Sequence, residues 1–308
     1  MKYVFAFMIF CIVLFLYIHI YYHIKTSNDL EIYTIDVPSK EKLEEICNLR
    51  QPVIFKFDSS KIKKNCSFEA IKNKYAAFDI KIRNTKEMDE DTLYVPLPLK
   101  ESDKLFKNDT ESKYFTEKNK DFLEETGVLK HFRHNDLFLR PPLVSNCKYD
   151  IWSGAENTAT PLRYFLNFRN FLYVTHGTIS IQLIPPKSTK YLYLEKDYDN
   201  FEFRSPINTW GVQKEYAAEF KKVKMLEIDI KEGKILFIPA YWWFSIKFGK
   251  DSSVSVFHYR TYMNTVSILP EIFISILQQQ NIKRETAPKM SLAEKASASV
   301  NHLLSQIK

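Results

Sequence analysis

The sequence predicts a mainly β domain, built as an antiparallel sandwich or barrel with flanking helices, that follows one N-terminal transmembrane helix. Two observations lead to this fold class. Residues 3–22 are predominantly apolar and carry no formal charge. From residue 149 onward, short segments rich in aromatic and β-branched side chains follow one another, bounded by Gly, Pro, Asn or Asp, without helical patterns between them.

The N-terminal run has the length and the ending of a membrane anchor. It contains about the 20 residues that cross a bilayer core, with His19 as its single imidazole. It leads into Tyr21, Tyr22 and His23 rather than the small residues of a cleavage site, and aromatic rings suit the membrane interface. We therefore expect an uncleaved single-pass anchor over residues 1–25, with the apolar run in the lipid bilayer.

The sequence leaves the side of the membrane open. Lys2 precedes the run and Lys25 follows it, so a slight positive-inside bias would place the N-terminus in the cytosol. Asn65 and Asn108 begin glycan acceptor triplets that are relevant only in a lumenal domain. The disulfide state is open as well, because the cysteines outside the anchor are odd in number: Cys47, Cys66 and Cys147.

The charge balance does not indicate a nucleic-acid partner. The net charge is +7, from 44 basic and 37 acidic residues, which is a mild excess. Lysine clusters such as residues 61–64 are typical of solvated faces. The chain has six Gly and no Gly-rich phosphate loop, and it contains no repeat or low-complexity block. It is therefore expected to be globular, and no nucleic acid is expected to bind.

The segment before the β region predicts a helical and extended lead-in. Residues 40–49 have helical apolar spacing and lead into a strand at 52–57. Residues 68–75 predict a short helix, and residues 78–82 alternate as a half-buried strand does.

The next segment predicts a loop, a helix and then the β region. Residues 84–117 are charged and weakly patterned, which predicts a surface excursion. Residues 118–126 predict a helix that Gly127 ends. The six strands predicted beyond it are residues 150–152, 171–175, 179–184, 224–230, 235–238 and 254–258.

The C-terminal segment returns to a helical pattern. Residues 270–280 and 291–307 predict two helices joined by a link that contains Pro, similar to an αα-hairpin. The apolar stripe of such a hairpin needs a partner surface. We expect three parts in the chain: the anchor, a β domain over residues 26–265 and a helical segment over residues 266–308.

Two ordered motifs resemble those of a known family. The first is residues 160–165, Thr-Pro-Leu-Arg-Tyr-Phe, followed by Asn170, Gly177 and Pro185-Pro186. The second is residues 232–244, with a Glu-Gly turn, a strand that ends in Ile-Pro, and a Trp-Trp-Phe. Together they resemble the cupin-like, Jumonji C-type oxygenases, in particular the asparaginyl hydroxylases, and the resemblance extends over residues 32–262. It implies a double-stranded β-helix, the jelly roll of that family.

The resemblance also implies an iron site, from which this sequence departs. In the family, a His-x-Asp and a distal His hold Fe(II), with open positions for 2-oxoglutarate and oxygen. The matching positions are Arg163, Phe165 and Phe244; arginine is a cationic donor, and phenylalanine has no lone pair. The lysine that pairs with the cosubstrate carboxylate matches Ile179, whereas scaffold positions such as Gly233 agree. We therefore expect an oxygenase-like jelly roll without a metal, a cofactor or catalytic residues.

Histidines elsewhere are the alternative metal ligands. His131 and His134 lie close to Asp136, and their spacing allows one face of a helix. Asn135-Asp136 is more typical of a turn, and exposed loop histidines are commoner than ligands. His176 is expected on a sheet surface, and His258 is expected to point toward the pocket. A lone histidine is more often a structural residue than a ligand, so we predict no metal site from these residues.

Arg163 raises an alternative use for the former metal pocket. A buried guanidinium needs a carboxylate partner, a bound anion or a polar path to water. One hypothesis is that Arg163, assisted by Tyr164 and Asn170, binds a small acid or an acidic side chain. The simpler alternative is an internal salt bridge, or an arginine whose head group reaches water. Trp242 and Trp243 complete the candidate pocket and suggest that aromatic side chains fill it.

The sequence thus predicts a membrane-anchored, catalytically inactive protein of the cupin-like type that acts as a structural or interaction module with a protein partner. The resemblance implies a homodimer through the C-terminal helices. It also suggests a large DNA virus as the source, because anchored relatives occur there and the Lys-, Asn-, Ile- and Phe-rich composition suits an AT-rich genome. Two alternatives stay open: an active 2-oxoglutarate-dependent hydroxylase with unrecognised metal ligands, and a small-acid binding module that uses Arg163.

Overall fold

The computed structural model describes residues 2–86 and 94–284. Helix α1 (Lys2–Ile24) contains the apolar run, and it is long and apolar enough to span a membrane. Most of its side chains are exposed, as expected for a helix that has no protein layer around it. The exception is the last turn, where His23 is buried against the domain.

Two sheets account for the strands in the described part of the chain. One has the order β1-β2-β13-β8-β15-β6-β5-β3-β4 and the other the order β10-β11-β7-β14-β9-β12. The bounds are β1 Tyr33–Ile35, β2 Val53–Lys56, β3 Asp79–Asn84, β4 Val95–Pro98, β5 Tyr114–Thr116, β6 Val144–Gly154, β7 Arg163–Tyr164, β8 Arg169–His176, β9 Thr178–Ile184, β10 Glu195–Asp197, β11 Glu202–Arg204, β12 Leu226–Lys231, β13 Lys234–Pro239, β14 Trp243–Phe248 and β15 Ser253–Thr261.

The two sheets face each other across a shared apolar core, which confirms the predicted jelly roll. Leu172 and Val254 of the larger sheet pack in one cluster with Ile181 and Ile246 of the smaller sheet. Because side chains alternate along a strand, the neighbours of these inner residues point to the other face of the larger sheet. One of them, Phe171, packs in a second cluster with the helices that cover this face. The alternation therefore divides the larger sheet into an inner face and a helix-covered outer face.

The helices cap this outer face and extend the fold at both ends. Three of the helices have a serine N-cap: Ser39, Ser59 and Ser67 each accept a hydrogen bond from a backbone amide of the first turn. The remaining bounds are α2 Lys40–Cys47, α3 Ser60–Cys66, α4 Phe68–Lys74, α5 Leu99–Asn108, α6 Lys120–Glu125, α7 Val128–Asn135, α8 Ala217–Phe220, α9 Tyr262–Ser267 and α10 Leu269–Arg284.

The prediction of a surface excursion over residues 84–117 is wrong. This segment contributes β4, α5 and β5, and Leu97, Leu105 and Phe115 are fully buried in the core. The charged residues of α5 lie on its solvent face, while a short apolar stripe is enough to bury the other face. A pattern that spans about two turns is too short to stand out from the charges around it.

The last turn of α1 is fixed to the domain. The guanidinium of Arg50 lies 4.9 Å from the ring centroids of both Tyr22 and Phe168. His23 Nε2 lies 3.4 Å from the hydroxyl of Thr261. These contacts join the apolar helix directly to the jelly roll, without a free linker at this point.

At the other end of the chain, α10 contains the helix predicted at residues 270–280. The second helix, predicted at residues 291–307, lies outside the described residues. The three-part division of the chain stays a prediction.

Candidate functional site

The three positions that match iron ligands lie together at one end of the space between the sheets. Arg163 on β7 is the cross-strand partner of Phe244 on β14. The ring centroids of Phe165 and Phe244 are 4.9 Å apart. The guanidinium carbon of Arg163 lies 5.8 Å from each of these two rings. A cationic side chain and two apolar rings therefore occupy this place.

Arg163 belongs to a buried group of two arginines and two glutamates. Its Nη2 lies 2.5 Å from Glu117 Oε2, and its Nη1 lies 3.5 Å from Glu202 Oε1. Arg83 Nη1 bridges the same two carboxylates, at 2.8 Å from Glu117 and 3.0 Å from Glu202. All four side chains are at most 4% exposed, so their charges balance without help from water.

The arginines keep Glu117 ionised although it is buried. Burial by itself raises the pKa of a carboxyl, but the guanidinium groups of Arg163 and Arg83 outweigh it and hold the pKa of Glu117 well below its usual range. The hydroxyl of Tyr94 also donates to Glu117, at 2.8 Å. Arg163 is therefore neutralised by carboxylates of the protein itself, which is the internal salt bridge that the sequence offered as the simpler alternative to a bound acid.

A chain of hydrogen bonds lies beside this group and fixes the imidazole of His258. Asn170 Nδ2 donates to the carbonyl of Ile238, which turns its Oδ1 toward His258 Nδ1 at 2.8 Å. Asn167 extends this series of hydrogen bonds: its Nδ2 donates to Asn170 Oδ1, and its Oδ1 accepts from Arg260 Nε at 2.7 Å. His258 Nδ1 must therefore carry the proton, which leaves Nε2 as an acceptor.

Replacing His258 with asparagine is expected to make stability less sensitive to mild acid. Burial, followed by repulsion from Lys148 and Arg163, lowers the pKa of His258 from 6.5 to about 3. The unfolded chain takes up this proton below pH 6.5 and the folded chain does not, so stability is lost as the pH falls through this window. The asparagine amide can still donate to Asn170. Over about 1.5 pH units the variant should avoid a loss of up to about 2 kcal/mol.

The measurement is the thermal midpoint of both proteins between pH 6.5 and pH 5. Glu117 adds acid sensitivity at lower pH, and Asp150, whose pKa burial raises to about 6, acts in the opposite direction. Both contributions are common to the two proteins, so the difference between their slopes isolates His258. Equal slopes would contradict a neutral buried imidazole.

The structure does not bring the five candidate pocket residues together. Arg163 lines the cavity, whereas Asn170 is fully buried behind His258, to which it is hydrogen-bonded. Tyr164 points to the opposite face of β7, where its ring centroid lies 4.8 Å from that of Trp243. Trp243 Nε1 donates to Thr189, while Trp242 packs in the inner core and donates to the carbonyl of Arg50.

The remaining candidate positions take structural roles. Ile179 is fully buried in the inner core, where it pairs with Phe248 of β14. His176 is half-exposed at the sheet surface and lies 3.4 Å from Glu232. His131 and His134 lie on helix α7, which is the helical alternative that the sequence left open, because the helix continues to Asn135.

The residues do not fit an iron centre. Among the described residues, no group of three or more His, Cys, Asp or Glu side chains is placed to hold a metal. Asp136 is committed elsewhere, because it accepts from the hydroxyls of Tyr149 and Tyr259 and pairs with Arg140. At the position where the family holds Fe(II), the guanidinium of Arg163 has no lone pair to offer.

A cavity of about 610 Å³ opens beside these residues. The aromatic side chains of Trp152 and Phe165 line its inner part, together with Arg163 and His258. Lysines and Arg260 line the outer part. This volume lies within the range of small-molecule pockets, roughly 300–1,000 Å³.

The sequence interpretation missed the two glutamates and Arg83. Glu117 was assigned to the surface excursion, and Glu202 lies in a short hairpin strand that had not been predicted. The run of strand-favouring residues at 114–116, Tyr-Phe-Thr, was one available signal of a strand before Glu117. The need of Arg163 for a carboxylate partner was another signal.

Comparison with known proteins agrees with the fold. The sequence profile of the family described as "Cupin-like domain" matches residues 38–264. The chain is similar to "HSPB1-associated protein 1" of Homo sapiens, at 24% identity over 107 residues, which cover 34% of this chain and 22% of that protein. The same protein of Rattus norvegicus is 23% identical over 136 residues, covering 44% and 28%.

A third relative carries the Jumonji C name. "JmjC domain-containing protein D" of Dictyostelium discoideum is 30% identical over 112 residues, which cover 36% of this chain and 25% of that protein. The matched segments span about a quarter of the length of these curated relatives. The similarity thus concerns the domain and not the whole of any relative.

Proposed function

Because this chain belongs to the cupin-like domain family and has its Jumonji C-type fold, we propose that it is a non-catalytic member, tethered to a membrane, that acts as an interaction or structural module. The proposal concerns the loss of activity, the tether and the role. The fold itself is that of the 2-oxoglutarate oxygenase superfamily.

The observation that carries the proposal is the buried ion-pair group at the iron position. Arg163 brings a permanent positive charge there, and Glu117 and Glu202 fix it in place. A divalent cation at this position would be repelled by the guanidinium and would meet two phenylalanine rings in place of ligands. Without any of the three ligands no metal would be held, so no weakened form of the family's Lewis-acid chemistry would remain.

The N-terminal helix supports the tether. α1 is long and apolar enough to span a membrane, and its last turn is fixed to the domain through Arg50 and His23. A fixed helix end would hold the jelly roll in one orientation against the bilayer. Tethering would also raise the local concentration of the domain near other membrane components.

The nature of the partner is part of the same proposal. One relative is named for its association with HSPB1, which supports protein association as a role within the family. α10 exposes Leu269, Phe273 and Leu277, which supports a protein contact at the C-terminal helices. A homodimer through these helices and a viral source both stay hypotheses.

Iron content and turnover test the proposed loss of activity. We expect the full chain, purified in detergent and then supplied with Fe(II), to retain no stoichiometric iron after desalting. We also expect it to release no succinate from 2-oxoglutarate above the background of a heat-denatured sample. Iron at one atom per chain, or succinate release that depends on the folded protein, would overturn the proposal in favour of an active hydroxylase.

A further inference from the structure

Among the described residues, three cations besides the exposed Arg133 line the cavity without a carboxylate partner. Lys118 Nζ donates to the carbonyl of Asn200 at 3.1 Å, and Arg260 Nε donates to Asn167. Within the described residues, Lys148 makes no side-chain hydrogen bond and no ion pair. All three side chains lie on the wall of the same cavity.

The register of two strands brings Lys148 and Arg260 to the same face. β6 and β15 are antiparallel, with Lys148 opposite His258 and Asn146 opposite Arg260. Residues two apart on a strand point the same way, so Lys148, His258 and Arg260 share the face that lines the cavity. Partial desolvation by the cavity wall, together with repulsion from Arg260, lowers the pKa of Lys148 to about 8, which agrees with cations crowded at one place. Water still reaches Lys148 through the cavity mouth.

The acidic groups of the cavity do not neutralise these cations. Glu117 is committed to the two arginines of the buried group. Asp150 is held by the backbone amide of Asn119 at 2.9 Å and by Trp152 Nε1 at 2.7 Å. Asp121 and Glu124 also line the cavity, and each pairs with a lysine other than these three. The three cations therefore exceed the acidic charge left to balance them.

We propose that this cavity binds a small organic anion, whose phosphate or carboxylate group is held by Lys148, Arg260 and Lys118. The anion would replace the missing carboxylate partners, and charge-assisted hydrogen bonds of this kind are about twice as strong as neutral ones. His258 and the wall of Trp152 and Phe165 would contact the uncharged part of the ligand. The charged donors of this site are not iron-ligand positions, although Phe165, which is one of them, forms part of the wall. The site therefore goes beyond the proposed function and does not depend on it.

The test uses the full chain in a non-ionic detergent and three defined probes. AMP represents a phosphate monoester, succinate represents a dicarboxylate, and adenosine is the uncharged control. We expect isothermal titration calorimetry to detect AMP or succinate but not adenosine, and the anion that binds identifies the preferred group. Binding should weaken with added salt because it rests on charge.

The variant Lys148→Gln is expected to weaken binding of that anion by about tenfold, since it removes one charged donor. It should fold normally, because Lys148 has no side-chain partner among the described residues. Lys61→Gln is the matched control: Lys61 is an exposed lysine on α3, in the helical layer outside the sheets. We expect it to bind as the unaltered chain does.

Two results would overturn the anion site. One is the absence of any binding heat from AMP and succinate at millimolar concentration. The other is an equal loss of affinity in Lys148→Gln and Lys61→Gln, which would indicate a general surface-charge effect. Because no iron is involved, failure here leaves the iron and turnover result unaffected.

Discussion

Replacing Arg163 with methionine is expected to lower the free energy of unfolding by about 3–5 kcal/mol. The substitution leaves Arg83 as the single cation between Glu117 and Glu202, so one buried negative charge loses its partner. Methionine fills a similar volume, which keeps the loss of packing small. The thermal midpoint of the full chain in detergent should fall by roughly 10 °C.

Two further variants separate the loss of charge balance from the loss of the side chain. Arg204→Met removes a similarly buried arginine from the neighbouring strand, but its partner Glu195 is half-exposed, so we expect a smaller loss. Arg163→Met combined with Glu202→Gln restores a neutral group, and it should be more stable than Arg163→Met alone. If the double variant is the less stable of the two, charge imbalance is not the cause.

Rebuilding the three ligands is expected to create a metal site. The variant carries Arg163→His, Phe165→Asp and Phe244→His, at positions that the structure brings together. It supplies the two imidazoles and one carboxylate of a facial triad. Removal of Arg163 also leaves the surrounding ion-pair group with net negative charge, which attracts a divalent cation. We expect one Co(II) or Fe(II) per chain, measured by elemental analysis and, for cobalt, by its visible absorption.

The partly rebuilt variant, with the two histidines but with Phe165 kept, is the control. Two ligands hold a divalent metal less tightly than three, so its metal content after desalting should be lower. A fully rebuilt variant that keeps a cooperative thermal transition and binds no metal would contradict the correspondence between these positions and the iron ligands. That result would also remove the main support for a lost iron centre.

The β-rich architecture could be predicted from local sequence because the same pattern, a short segment rich in aromatic and β-branched residues, recurs along the chain after residue 149. Each strand predicted beyond residue 149 lies within or overlaps an observed strand. In the structure, β8 alternates between the inner core and the helix-covered face. The short strands were harder to predict. β7 has two residues and β11 has three, which is too few to show an alternation.

The charged residues show the limit of the same approach. In the sequence Glu117 follows a charged stretch, and such a residue is usually solvated. In the fold it lies beside Arg163, which is buried and which the sequence had singled out. The sequence identified the cation that needs a partner, but not the carboxylate that provides one.

The sequence by itself determined the apolar N-terminal helix and a sandwich or barrel of short strands, which follow from residue identity and short-range periodicity. Its resemblance to the cupin-like oxygenases implied the jelly roll and the three positions matched to iron ligands. The tertiary structure alone decided that Arg163 is neutralised within the protein, while Lys148 and Arg260 are left without carboxylates in a cavity. Ion pairing depends on distances of a few ångströms between strands far apart in the chain, and only the closed fold defines those distances.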